Sequence, residues 1–225
     1  MGKHNLLAKN HMSAILIEKI RPSEIDEVAG MLTDAFRTNP AYSIIFLNKN
    51  QQEDGLLWLF KASLMLNNHK QTLTRVIKEK DTGKIIGTFT LIPPQGVKNG
   101  ISVYSKIGIP GFISKFGLKS FFRMLGLDDC NKSSLTKSIG VSAYYYLSMV
   151  VVREGYRGMG IGSYAMKYAI QELIASIPAC KLLGLTTQLP ENVTFYSRLG
   201  FEKLDEGYID FKEDRYYNYN LCMRI

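Results

Sequence analysis

From Tyr144 to Val152 the chain reads YYYLSMVVV, a nine-residue run dense in β-branched and aromatic side chains with no strict alternation. Such a run fits a strand buried on both faces, so any fold it enters must cover that strand above and below. A layered α/β core with this strand near its centre is therefore expected. Shortly after it, Arg157-Gly158-Met159-Gly160-Ile161-Gly162 removes Cβ atoms from three alternate positions. The backbone there can turn sharply and its N–H groups can converge on an anion. Ala165, Met166, Ala169, Ile170, Leu173, Ile174 and Ile177 then recur at helical spacing and leave Lys167, Gln171 and Glu172 for solvent. The start of that helix adds the positive end of its dipole, which completes a cradle for a diphosphate.

Two other phosphate loops share this logic and are disfavoured. The dinucleotide fingerprint wants glycine where Ser163 stands, and the P-loop's Gly-Lys-Ser/Thr is absent. Arg157, Gly160 and Gly162 instead occupy the defining positions of the coenzyme A signature Q/R-x-x-G-x-G/A, and the segment resembles the GNAT superfamily of acyl-CoA-dependent N-acetyltransferases. The preceding Val152-Arg153-Glu154-Gly155-Tyr156 is similar too, although Glu154 stands where the family commonly has proline. A second block lies downstream in the correct order. Leu182–Thr187 reads as a further apolar strand, and Asn192, Phe195, Tyr196, Gly200 and Phe201 match the family's N-x-x-x-x-Y followed by x-x-G-F. Pro190 can open the intervening two-turn helix and Gly200 can end it in a left-handed conformation.

The resemblance implies acetyl-CoA as co-substrate, a small-molecule or peptide amine as acceptor, and no metal. It implies a diphosphate site on the amides of Arg157, Gly158, Met159, Gly160, Ile161 and Gly162, and pantetheine pairing along Met149, Val150 and Val151. An oxyanion donor is expected near Val150 or Val151. Tyr196 is implied as the general acid for the departing thiolate; a phenol of pKa about 10 lies near enough to a thiol of about 8.5 to share its proton. Asn192 has two readings, a pantetheine contact or a helix-start residue beside Pro190. A general base is missing from the strand itself, whose cleft-facing Tyr146 and Ser148 can only relay a proton. Asp34, Glu191, Glu213 and Asp214 are the candidates elsewhere.

The remaining chain follows the same plan, a single domain over residues 1–225. Ile15–Ile20 alternates as a first strand, and Ser23 is the expected cap of a helix from Glu24 to Phe36, which Thr38-Asn39-Pro40 stops. A second helix is expected from Glu53 to His69, with Trp58, Leu59, Ala62 and Leu66 on one side. Thr74–Glu79 and Ile85–Pro93 bracket Asp81-Thr82-Gly83-Lys84, a hairpin signal. The fifty or so residues from Pro93 to Ser142 exceed loop length and form an insertion between the third and fourth strands. Within it Phe112–Leu125 reads as a basic amphipathic helix interleaved with Lys115, Lys119 and Arg123, either covering the acceptor cleft or meeting a membrane or partner. At the C-terminus Glu202–Asp205 and Asn218–Arg224 read as strands joined by a tyrosine-rich turn, where Tyr216 and Tyr217 could meet an amine by cation–π contact. The expected fold is thus α/β (α+β): a mixed, mostly antiparallel sheet of six to seven strands flanked by helices, with the fourth and fifth strands splayed.

Composition bounds this reading. A chain of 225 residues with 46% hydrophobic content can bury a sizeable core. Cys130, Cys180 and Cys222 have neither paired nor metal-like spacing, which suits free thiols in a reducing cytoplasm. There is no apolar run of membrane-spanning length and no signal-peptide pattern, and residues 1–13 read as a flexible tail or partly vector-derived extension. The net charge of +8 suits a phosphate-rich co-substrate, while the basic residues are too dispersed for a nucleic-acid surface. Monomer and homodimer both remain open. So does the alternative of an acyl-CoA-binding module without turnover, or a basic interaction protein, on the same scaffold.

Overall fold

The computed structural model describes residues 14–140, 143–176 and 180–225. The tail expected over residues 1–13 lies outside the described residues, as do Ile177 and the side chains of Leu173 and Ile174. The sheet is built from β1 (Ile15–Lys19), β2 (Thr74–Glu79), β3 (Ile85–Ile92), β4 (Tyr145–Val152), β5 (Leu182–Thr187), β6 (Glu202–Phe211) and β7 (Asp214–Arg224). Their spatial order is β1-β2-β3-β4-β5-β7-β6, so β4 is the middle strand, as its two-sided apolar run requires. β4 and β5 pair in parallel, and the other neighbours are antiparallel. The hairpin between β2 and β3 turns at Gly83, whose φ of 69° favours glycine.

Helices cover both faces: α1 (Ile25–Phe36), α2 (Pro40–Ser43), α3 (Gln52–Asn68), α4 (Ile101–Lys106), α5 (Ile109–Ile139), α6 (Ile161–Ser176) and α7 (Pro190–Ser197). Val28 and Leu32 of α1, Leu56 and Phe60 of α3, and Phe112 and Leu127 of α5 share one apolar layer with Val76, Ile85 and Val151. Ala165, Met166 and Ala169 of α6 and Tyr196 of α7 share the other with Ile77, Ile86 and Leu147. Adjacent strand residues such as Val76 and Ile77 enter opposite layers because successive side chains point to opposite faces.

Four local expectations are corrected. Ser23 does not cap α1; it lies in a 3₁₀ turn (Pro22–Glu24), and the Arg21 backbone N–H donates to Glu24 at 2.9 Å. In α3 Ala62 is buried as expected, but the fully buried stripe is Leu56, Phe60 and Leu64, while Trp58, Leu59 and Leu66 are only half-buried on its flank. The insertion helix runs from 109 to 139, well beyond Phe112–Leu125, with a kink at Gly117 (φ 85°, ψ 155°). Its second half buries Leu127 and Leu135 among polar neighbours, too sparse a pattern to read in advance. Tyr208 to Tyr217 is hairpin rather than turn. Only Lys212 and Glu213 separate β6 from β7, and Tyr208 and Tyr217 are cross-strand partners with ring centroids 5.0 Å apart.

Candidate active site

β4 carries a defect that defines the site. Thr88 pairs with Val151 and Thr90 with Ser148, so two steps along β3 face three along β4, and Met149 takes φ 51°. This is a bulge, which leaves a residue outside the ladder. Its effect on side-chain facing is direct. Tyr145 and Leu147 join the α6/α7 layer, yet so do Val150 and Val152, while Met149 and Val151 turn to the α1/α3 layer. On its other side β4 pairs with β5 only at Tyr145–Leu183 and Tyr146–Gly184. Beyond Tyr146 the strands part, leaving the Met149–Val151 edge free to pair with an extended ligand.

The glycine turn lies just past that edge. A 3₁₀ turn (Glu154–Tyr156) leads into Gly158 (φ 78°) and Gly160 (φ 79°), and α6 begins at Ile161. Both positive angles favour glycine, and residues 157–160 are exposed. Gly162 is needed for another reason: a Cβ there would meet Phe195 of α7 at 3.2 Å. The Arg157 side chain turns back, Nε donating to the Val152 carbonyl at 3.0 Å, which fixes the turn to the end of β4. The Arg157 N–H is given to the Glu154 carbonyl at 3.1 Å, and the exposed glycine turn that follows it at the start of a long helix suits a diphosphate.

Tyr196 is buried on α7, edge-on to Phe195 and Phe201 with ring centroids at 5.0 and 5.4 Å. Burial pushes its phenol pKa well up, with Tyr146 adding to the shift, so the group stays protonated at neutral pH but is a weaker acid, further from the thiol's range than the sequence alone suggested. Tyr146 bridges the parted strands, its hydroxyl 3.3 Å from Thr186 Oγ1 of β5, and burial pushes its pKa up to about 12. Asn192 donates from Nδ2 to Thr187 Oγ1 at 3.0 Å, tying α7 to the end of β5.

The sheet face opposite α6 and α7 carries polar residues that the motifs did not reveal. Asn39 donates to Gln188 (3.1 Å), Gln188 to Asn218 (2.8 Å), Asn218 to Asn220 (2.9 Å), and Asn220 to Ser134 and Ser138 of α5 (2.8 and 2.9 Å). The four amides are buried and joined head to tail, an arrangement in which each bond polarises the next. Asn218 and Asn220, two apart in a strand whose other face holds Leu221 and Met223, were the readable signal. Alternation also separates two residues expected to act together. Tyr216 is buried on the Asn218 face and donates to Asn131 of α5 at 2.8 Å, whereas Tyr217 stacks with Tyr208 and Tyr219 on the opposite face.

The base candidates fare differently. Glu213 and Asp214 both accept from Arg123, a residue of the supposed basic face that is 1% exposed and also donates to the Ile44 carbonyl at 2.8 Å. That cation locks the insertion helix to the β6–β7 turn. Asp34 and Glu191 are exposed. Among the described residues no group of three His, Cys, Asp or Glu side chains could hold a metal, and no helix is long and apolar enough to cross a membrane.

Residues 31–201 match the acetyltransferase (GNAT) family. No curated protein sequence matches the chain. Among solved structures it is similar to a histone acetyltransferase HPA2 and related acetyltransferase from Corynebacterium glutamicum, with TM-score 0.59 and 17% identity over 94% of this chain and 96% of that one. Arylalkylamine N-acetyltransferase 2 from Aedes aegypti gives TM-score 0.58 and 15% identity, over 94% and 99% of the two chains. Arabidopsis thaliana NAA60, solved in complex with acetyl-CoA, gives 0.52 and 14%, again over 94% and 99%. At such identities the likeness is one of fold.

Proposed function

The chain belongs to the acetyltransferase (GNAT) family and is an acetyl-CoA-dependent acyltransferase; on that footing we propose that it acetylates a primary amine by direct attack in a ternary complex. The parting of β4 and β5 beyond Tyr146, beside the bulge at Met149 and the glycine turn, carries this reading. The amides of residues 158–162 bind the diphosphate, that of Arg157 being already given to the Glu154 carbonyl at 3.1 Å, and the free edge at Met149, Val150 and Val151 pairs with pantetheine. A backbone N–H released by the bulge, near Val150 or Val151, meets the oxyanion. Asn192, already fixed on Thr187, borders the pantetheine arm.

In the reaction the amine nitrogen bonds to the acetyl carbon, the carbon–sulfur bond breaks, and the thiolate takes a proton from Tyr196. The amine enters neutral, having left its ammonium proton in water, since β4 bears no carboxylate. The proton that its nitrogen sheds after attack passes through water ordered by Tyr146 and Ser148 to restore the Tyr196 phenol. Direct attack is favoured over an acyl-enzyme because Cys130, Cys180 and Cys222 lie in neither motif. The reading extends to a cytoplasmic protein of one domain that holds no metal.

An amine panel with acetyl-CoA, followed by thiol release, tests the reading. Tyr196→Phe should lower turnover by about 10²- to 10⁴-fold with acetyl-CoA affinity nearly unchanged. Unaltered turnover would remove Tyr196 as the acid, and parallel lines in two-substrate kinetics would remove direct transfer. Acetyl-CoA binding with no thiol release across the panel would favour a binding module instead.

A further inference from the structure

The insertion helix keeps apolar side chains on its outer face. Leu118, Phe122 and Leu125 of α5 are 53%, 54% and 50% exposed, and their i, i+4, i+7 spacing sets them in one stripe. On its other side Phe116, Met124 and Leu127 enter the apolar layer shared with α1 and α3. Beside the stripe an open groove of about 400 Å³ runs between α3 and α5, lined by Trp58, Phe112 and Phe116, with Lys61 and Lys115 also on its wall. Rings join the two features: centroids lie 4.4 Å apart from Trp58 to Phe112, 6.1 Å from Phe112 to Phe121 and 5.9 Å from Phe121 to Phe122. Charge follows the same surface. Between Asp81 and Asp128 the chain has no acidic residue, and Lys115 and Lys119 of that stretch are exposed. Lys119 stands three residues before Phe122, a surface neighbour on the helix. Asp54 at the groove is engaged by Lys115 at 2.7 Å and Asp26 engages Lys61 at 2.6 Å, both as exposed pairs of the kind that exchange readily. Acids return at Asp128 and Asp129, about one turn past Leu125.

We propose that α5 docks this protein on an anionic bilayer surface, with Leu118, Phe122 and Leu125 entering the boundary between headgroups and acyl chains while Lys115 and Lys119 meet the lipid phosphates and carboxylates. A bilayer asks only for shallow entry, about 5–10 Å, and supplies the negative charge that these lysines complement. A second copy of the chain fits less well. Three half-exposed side chains fall far short of the roughly 800 Å² per partner of a stable interface, and a two-fold contact would bring the same lysines to both sides of it. The docking face belongs to the α1/α3 layer, whereas the glycine turn opens α6, so this inference stands apart from the transferase reading and acetyl-CoA affinity serves as its control.

Trp58 is the only tryptophan of the chain and lines the groove, so its emission reports docking. The full chain should cosediment with vesicles of phosphatidylcholine containing about 30% phosphatidylserine, with a blue shift of Trp58, and should stay in solution with phosphatidylcholine alone. Salt at about 0.5 M should release most of the bound protein. The double variant Leu118→Ser/Phe122→Ser should lower the partition coefficient by about 10- to 100-fold and Lys119→Gln by about 5-fold. Because these side chains face outward, the thermal midpoint and acetyl-CoA affinity should be unchanged in both variants. Equal binding to the two vesicle types, binding to neither, or undiminished binding by the double variant would overturn the proposal. A concentration-dependent dimer of the wild type that the double variant abolishes would overturn it too, by making a second copy the occupant of the stripe.

Discussion

Gly162→Ala tests how the glycine turn and the proposed acid are coupled. An alanine Cβ at 162 would lie 3.2 and 3.4 Å from two atoms of the Phe195 ring and 3.7 Å from Val152 Cγ2. Carbon contacts are most favourable at about 3.5–4.0 Å, so the ring must retreat by roughly 0.3–0.5 Å. Alanine favours the helix by about 1 kcal/mol over glycine, and overpacking costs about 1–3 kcal/mol. The net expectation is a loss of about 0–2 kcal/mol, measured by equilibrium denaturation. The kinetic effect should be larger in proportion. Phe195 packs edge-on against Tyr196, so its retreat displaces the phenol. A misplacement of about 1 Å can cost about 10²-fold, and a third to a half of that implies roughly 3- to 10-fold in kcat. Gly158→Ala provides the contrast: no atom lies within 4 Å of its Cβ, and only the positive φ penalises it, by about 1–2 kcal/mol. A Gly162→Ala protein with raised stability and wild-type kcat would refute the coupling, since it would be behaving as an unobstructed helix position.

Further predictions follow from other parts of the site. Gly160→Asp places a carboxylate in the proposed diphosphate cradle at φ 79° and should abolish acetyl-CoA binding; calorimetry giving wild-type affinity would reject the cradle. Arg123→Ala should destabilise by about 2–4 kcal/mol through an emptied core position and an unpaired Ile44 carbonyl, whereas Arg123→Met should recover most of that loss. Glu213 and Asp214 are exposed enough to rehydrate, so equal losses in the two variants would contradict this account. Glu18 is held below the usual carboxyl range by its hydrogen bond and ion pair with Lys78, and Glu79 by hydrogen bonds from Thr82 and Tyr156. Their contribution is fully present above the unfolded value of about 4.3 and is lost as pH falls through the lower folded values. The thermal midpoint should therefore decline below about pH 4, and Glu79→Gln should shrink that decline; an identical acid profile in the variant would count against it. Because burial raises the Tyr196 pKa, the acid should remain competent on the alkaline side, with no loss of kcat from its titration below about pH 10; a Tyr196-dependent fall near neutrality would exclude it.

What the sequence determined by itself lies within one period of an element or between neighbouring elements. The buried strand through Val152, the glycine turn, the Gly83 hairpin and the helix opened by Pro190 each write their signal in adjacent residues, because backbone preference and side-chain period are local properties. The parting of β4 and β5 was legible only through a family resemblance. Other features depend on residues far apart in the chain. Asn39 meets Gln188 across 149 positions and Arg123 meets Glu213 across 90, and no local pattern distinguishes such an asparagine or arginine from a solvated one. Arg123 falls on a helix face that reads as basic and exposed, yet the β6–β7 turn and the Ile44 carbonyl enclose it. The bulge at Met149 likewise follows from pairing with β3, and it decides which side chains of β4 face which layer. Tertiary structure alone set Tyr216 against Asn131 of α5 and left Tyr217 with Tyr208 and Tyr219. Strand alternation and helix docking fix those directions only once the partners are in position.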